Sequence, residues 1–150
     1  MTEINFYVSS AASNDAIYKL LPSLLERIIS QQHKDLIACK NEAEVKRVDK
    51  FLWEYNAEKF IPHGTASKEH AEDQPILITS EEENKNLSDI LICLSGKTVS
   101  DFSSYLKVID IFEGSEEQKQ AGRERWKDYK SKGYDLSYFT SENGKWLKKM

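Results

Sequence analysis

Five consecutive apolar residues, Ile90-Leu91-Ile92-Cys93-Leu94, follow Asp89 and precede the turn-forming pair Ser95-Gly96. A run of that length with no polar alternation reads as a strand buried on both faces, and such strands belong to parallel sheets covered by helices. Two shorter runs repeat the signal, Asp35-Leu36-Ile37-Ala38-Cys39 and Pro75-Ile76-Leu77-Ile78-Thr79, and Ile4-Asn5-Phe6-Tyr7-Val8 opens the chain in the same style. Between the first two strands, Ile17, Leu20, Leu21, Leu24, Leu25, Ile28 and Ile29 fall on one helical face after Ser13-Asn14-Asp15. Pro22 either kinks that helix or marks the first turn of its main part. Asn41, with Glu44 three residues on, caps a second helix bearing Val45, Val48 and Leu52, broadened by Phe51 and Trp53. Strand, helix, strand, helix predicts a single α/β domain with mainly parallel pairing in a mixed sheet flanked by helices.

The remaining elements follow from local chemistry. Residues 64–75 are almost devoid of apolar side chains and read as a surface loop, and residues 80–88 as a second, acidic one. A short helix is expected around 101–105, then a strand from Lys107 to Phe112. Ser115 with Gln118 makes a capping box, Glu116 and Glu117 sit at the positive dipole end, and Gly133 after Lys130 and Lys132 stops the helix. Tyr134 to Phe139 returns as a strand. We therefore expect a domain over 1–139 and a polar tail over 140–150, in which Trp146 and Leu147 suggest docking. No apolar run reaches the roughly 20 residues of a membrane span, and the N-terminus carries no secretion signal, so a cytoplasmic protein is expected.

Sites of catalysis are hard to find. No G-x-G-x-x-G occurs. Ser95-Gly96-Lys97-Thr98 ends like a phosphate-binding loop, but the required earlier glycine is Leu91, inside a strand. An α/β nucleotide binder or enzyme using Gly96-Lys97-Thr98 and the 64–75 loop is the alternative this motif keeps open. His33, His63 and His70 have no paired metal spacing. Cys39 and Cys93 lie in apolar runs and read as small buried hydrophobes. Glu81-Glu82-Glu83 reads as a solvated loop, and no serine stands in a G-x-S-x-G elbow. No cofactor and no metal are expected.

Charge patterning is more informative. The chain carries −4 overall, but Lys119 to Lys132 holds six basic residues against Glu124 and Asp128, a local +4 that leaves −8 elsewhere. Lys119, Arg123, Lys127 and Lys130 recur at helical spacing with Trp126 beside them. Three readings stand: a solvated helix face, a nucleic-acid contact with Trp126 stacking on bases, or a receptor for an acidic peptide with an aromatic end. The acidic remainder would repel a nucleic-acid track. A second cluster, Phe51-Leu52-Trp53, Tyr55 and Phe60-Ile61-Pro62-His63, reads either as core or as a protein–protein patch.

Asp35 to Cys39, Leu52-Trp53, Phe60-Ile61-Pro62-His63, Asp89 to Ile92 and Ala121-Gly122-Arg123-Glu124-Arg125-Trp126-Lys127-Asp128-Tyr129-Lys130 occur in an order that resembles the chi subunit of bacterial DNA polymerase III holoenzyme. The resemblance covers roughly residues 4–139. It implies a Rossmann-like α/β domain without catalytic activity, acting as an accessory subunit of the clamp-loader assembly in DNA replication. It implies that the chain grips the acidic, phenylalanine-ended C-terminal tail of single-stranded-DNA-binding protein, with DNA contacted only indirectly. On the matching positions, the tail site is Lys119, Arg123, Arg125, Trp126 and Lys127; beyond the matched positions, we expect Trp126 with Phe112 to contact the terminal ring. Trp126 stands where some members carry tyrosine. The resemblance further implies a psi-subunit interface at Trp53, Phe60, Pro62 and His63, or contact with other clamp-loader subunits where psi is absent.

Overall fold

The computed structural model describes residues 2–10, 17–54, 63–65, 71–142 and 145–149. Among these residues the order is β1 (Glu3–Val8), α1 (Leu21–Ser30), β2 (Asp35–Ala38), α2 (Glu42–Glu54), β3 (Gly64–Thr65), β4 (Ile76–Thr79), β5 (Ile90–Leu94), β6 (Lys107–Phe112), α3 (Glu116–Ser131), β7 (Asp135–Glu142) and β8 (Lys145–Lys148). The strands form one sheet in the order β3-β4-β2-β5-β6-β1-β7-β8. Every pairing is parallel except β7 with β8. The chain is thus an α/β domain with a mainly parallel mixed sheet, of the Rossmann-like kind.

Each face of the sheet has its own core. Ile37, Ile76, Ile78, Ile92, Leu94 and Ile111 face α1 and α2. Leu36, Leu77, Leu91, Cys93, Val108 and Phe112 face α3 and the segment that carries Phe102 and Tyr105. The alternation within β2, β4 and β5 therefore puts apolar side chains on both sides, as expected for central parallel strands. Cys39 and Cys93 are both buried free thiols, and burial pushes both thiols well above their ordinary range. Pro22 stands in the first turn of α1, after the turn at residues 19–20.

Three expectations need correction. Gly64 and Thr65, assigned to a surface loop, form β3 and pair in parallel with Leu77 and Ile78 of β4. Ala71–Asp73 closes the same segment with a 3₁₀ turn whose Ala71 is buried. Backbone pairing at a sheet edge needs no apolar pattern, so composition gave no sign of it. The short helix expected at 101–105 is a turn. Asp101 accepts from the Ser103 N–H and hydroxyl, both at 2.9 Å, which competes with helical bonding. Phe102 and Tyr105 are then free to insert into the core. The segment read as a polar tail carries the end of β7 and β8, and β8 adds to the sheet antiparallel, with Thr140 opposite Leu147.

The 80–88 loop hides a polar plug. Asn86 is fully buried; its amide donates to the carbonyls of Gln74 (2.9 Å) and Asp35 (3.3 Å), and it accepts from the Ser88 hydroxyl at 2.6 Å. The neighbouring Asp35 carboxyl is fully buried, and neither oxygen has a hydrogen-bond partner among the described residues. Burial, with help from the Asp89 charge, holds this carboxyl well above the usual carboxylate range. The folded chain therefore keeps it protonated at pH values where the unfolded chain ionises it. Stability falls as pH rises through the unfolded carboxyl range, near 4, and keeps falling until the folded group ionises. Asp35→Asn removes this loss, so the stability of the variant relative to wild type rises between about pH 4 and 7. Urea unfolding of both proteins at several pH values measures it; parallel curves would refute it.

Candidate functional site

Helix α3 begins at Ser115, whose hydroxyl oxygen accepts from the Gln118 N–H at 3.2 Å. The reciprocal half of the expected capping box is supplied by Glu113, which accepts from the Ser115 N–H at 3.0 Å and also takes its hydroxyl. The helix ends where the Gly133 N–H reaches the Lys130 carbonyl and the Tyr134 N–H reaches that of Tyr129, with Gly133 at φ +85°.

Helical geometry sorts its residues into two sides. Gly122, Arg125, Trp126 and Tyr129 point to the sheet. Gly122 is buried so close to Phe112 that a Cβ there would stand 2.6 Å from the ring Cζ, which lets α3 lie directly on the strand end. Arg125 forms a two-pronged ion pair with Asp110 of β6, Nε to Oδ2 at 2.8 Å and Nη2 to Oδ1 at 3.1 Å. Its guanidinium lies 5.1 Å from the Phe112 ring centre and 5.9 Å from that of Phe6. Trp126 is half-buried, edge-on to Phe6 at 5.4 Å and to Tyr138 of β7 at 5.9 Å. The Tyr129 hydroxyl meets the Thr98 hydroxyl at 2.7 Å.

The other side is basic. Arg123, Lys127 and Lys130 are exposed and Lys119 is half-buried. Arg123 donates to Gln120 at 3.2 Å, and the ammonium groups of Lys119, Lys127 and Lys130 have no acidic partner among the described residues. Burial raises the Tyr138 hydroxyl pKa, and the Arg123 charge offsets part of this.

The structure therefore sets Lys119, Arg123 and Lys127 on the accessible side of α3, with the half-buried Trp126 at its border with the sheet. Two of the expected contact residues stand elsewhere. Phe112 is completely buried beneath Gly122 and has no surface to offer a ligand ring. The Arg125 side chain is only 11 % exposed and committed to Asp110. Both support the face from beneath. Tyr138 is the residue that sequence reasoning missed. Its signal was present in the alternation of Tyr134, Leu136 and Tyr138, but only the β1–β7 pairing puts that row under α3. Asp110 was legible as a lone acid within the apolar run of β6.

The second predicted cluster is partly visible. Trp53, 56 % exposed at the end of α2, lies over the buried His63 ring at 4.8 Å, and Asp49 Oδ1 is 3.1 Å from His63 Nε2. Phe60 and Pro62 lie outside the described residues. At the Ser95–Thr98 turn, the Ser95 hydroxyl donates to the buried Glu44 at 2.6 Å and Thr98 is bonded to Tyr129. The Gly96 position packs under Gln118 of α3. The hydroxyls a phosphate would use are thus engaged within the fold.

These features define an α/β protein of the Rossmann-like class that presents a basic, aromatic-backed helix on one face of its sheet. The chain belongs to the family described as DNA polymerase III chi subunit, HolC, whose model matches residues 1–137. It is 32 % identical over 106 residues to the DNA polymerase III subunit chi of Escherichia coli, covering 70 % of this chain and 72 % of that one. It is 27 % identical over 136 residues to the subunit of the same name from Pseudomonas aeruginosa, covering 91 % and 94 %. The Haemophilus influenzae subunit is 28 % identical over 134 residues, covering 88 % and 92 %.

Proposed function

We propose that this chain is a non-catalytic replication accessory subunit that binds the acidic, phenylalanine-ended C-terminal tail of single-stranded-DNA-binding protein and couples it to the clamp loader. Membership of the chi family supports the setting. The observation that carries the binding step is the accessible row Lys119, Arg123, Lys127 and Lys130 beside the Trp126–Tyr138 ring pair. Carboxylates of the tail pair with the guanidinium and ammonium groups. The terminal ring packs against Trp126 and Tyr138, while Arg125 and Phe112 hold α3 in place. Trp53 over His63 forms the contact for psi, or for another clamp-loader subunit. No helix among the described residues is long and apolar enough to cross a membrane, and the assembly works in the cytoplasm beside DNA.

Arg123→Ala weakens binding of an acidic phenylalanine-ended peptide about tenfold, equivalent to roughly 1.4 kcal/mol, as read by fluorescence anisotropy. Arg123 is exposed, so the difference shrinks as salt is raised. Equal affinity for wild type and variant at low salt would overturn the reading.

A further inference from the structure

Strand β8 lies beyond the residues the family model matches, and it sits on the open side of β7. Its register assigns each residue to a face. Thr140 pairs with Leu147 and Phe139 with Lys148, and the Lys149 N–H donates to the Tyr138 carbonyl at 2.7 Å. Residues opposite one another in a ladder share a face, and faces alternate along each strand. Tyr138 faces α3, because its ring touches Trp126. Leu147 and Lys149 therefore lie on the α3 side, and Lys148 on the other. Leu147 is 40 % exposed, and Lys148 and Lys149 are exposed.

Residues 143–150 contain three lysines and no acid. With the +4 of residues 119–132, these two segments hold +4 and +3, which leaves −11 on the other residues. Two basic elements thus flank Tyr138 on an otherwise acidic protein. We propose that β8 prolongs the acidic-peptide site: residues upstream of the tail's terminal ring run from Trp126 across Tyr138 onto the Leu147–Lys149 side of β8. This inference rests on the tail-binding reading above. The Trp126–Tyr138 separation is 5.9 Å. One further strand spacing of about 4.8 Å gives a track near 11 Å, which about three extended residues cover. A single-strand nucleic-acid groove spans roughly four nucleotides or more, so the short track favours a peptide.

The test uses two acidic phenylalanine-ended peptides, one of two residues, too short to cover the track, and one of about eight, which reaches β8. Wild type binds the long peptide about fivefold more tightly than the short one, the gain expected of one or two exposed ion pairs. Lys149→Glu abolishes this advantage and leaves short-peptide binding in place. Lys148→Glu, the same charge change on the opposite face, keeps most of the advantage. A chain ending at Glu142 behaves like Lys149→Glu. Circular dichroism melts verify that the variants are folded, and the point variants decide the matter if the shortened chain unfolds. An equal length advantage in wild type and Lys149→Glu overturns the role of β8 and leaves tail binding intact. Failure of wild type to bind either peptide overturns both. Lys149-dependent binding of an oligothymidylate that the long peptide does not displace overturns the peptide assignment in favour of nucleic acid.

Discussion

Asp110→Ala lowers the stability of the folded chain by about 3–5 kcal/mol at neutral pH, read from urea unfolding. The cause is the charge left behind. Asp110 is almost completely buried on β6, and the Arg125 side chain above it is only 11 % exposed. Burial pushes the Asp110 carboxyl up, and the Arg125 guanidinium pulls it part of the way back. Burial acts against the Arg125 charge too, but the carboxylate beside it outweighs this and raises the guanidinium pKa further. Removing the acid strands a cation between Phe6 and Phe112, rings that supply only weak compensation. Replacing both partners together, as Asp110→Leu with Arg125→Leu, recovers most of the loss, because no buried charge remains. A loss below about 1 kcal/mol for Asp110→Ala would show that the pair is not desolvated as described. The double variant also separates support from contact. With α3 still seated, peptide binding survives the loss of Arg125; if Arg125 itself contacts the tail, binding falls although the fold is restored.

Glu44→Ala lowers the melting temperature by about 10 °C, corresponding to roughly 4 kcal/mol for a domain of this size. Glu44 is fully buried at the start of α2. Its carboxylate accepts from the Tyr18 hydroxyl at 2.8 Å, the Ser95 hydroxyl at 2.6 Å and the Lys40 N–H at 2.9 Å. One side chain thus joins the turn after β2, the turn after β5 and the segment before α1. Alanine leaves three donors without an acceptor. Glu44→Gln keeps the volume and one acceptor oxygen, so it costs less than half as much. Calorimetric melting compares the three proteins, and equal losses for Ala and Gln would rule out hydrogen bonding as the cause. The Asn41 side chain accepts from the Glu44 N–H at 2.9 Å, so the helix cap that the sequence signals also aims this carboxylate.

Much of this architecture was readable in advance because it depends on local chemistry. Apolar runs at 36–39, 76–78 and 90–94 have no stable place except the middle of a covered sheet. The caps of α3, Ser115 and Gly133, state their own positions. The elements that escaped have no such imprint. Gly64–Thr65 became a strand because β4 presented an unpaired edge. Residues 101–105 became a turn because Asp101 competed for backbone hydrogen and two aromatic rings had a core to enter. Glu44 looked like half of an ordinary capping box. Its burial under Ser95 and Tyr18 depends on contacts more than 20 residues away in the chain.

The candidate site divides the same way. Periodicity and charge counting, which need only the order of residues, determined that one helix carries a concentrated basic face on an acidic chain. They also brought Lys119, Arg123, Trp126 and Lys127 into one group. Order alone could not tell an accessible cation from a buried one, since Arg123 and Arg125 are two residues apart and chemically identical. The 100° turn per residue, set against a particular sheet, sends Arg123 to solvent and Arg125 onto Asp110. The same packing hides Phe112, brings Tyr138 beside Trp126, and lays Lys149 one hydrogen bond away from it. Those outcomes depend on which strands are neighbours and which face each residue takes, and both are properties of the assembled sheet.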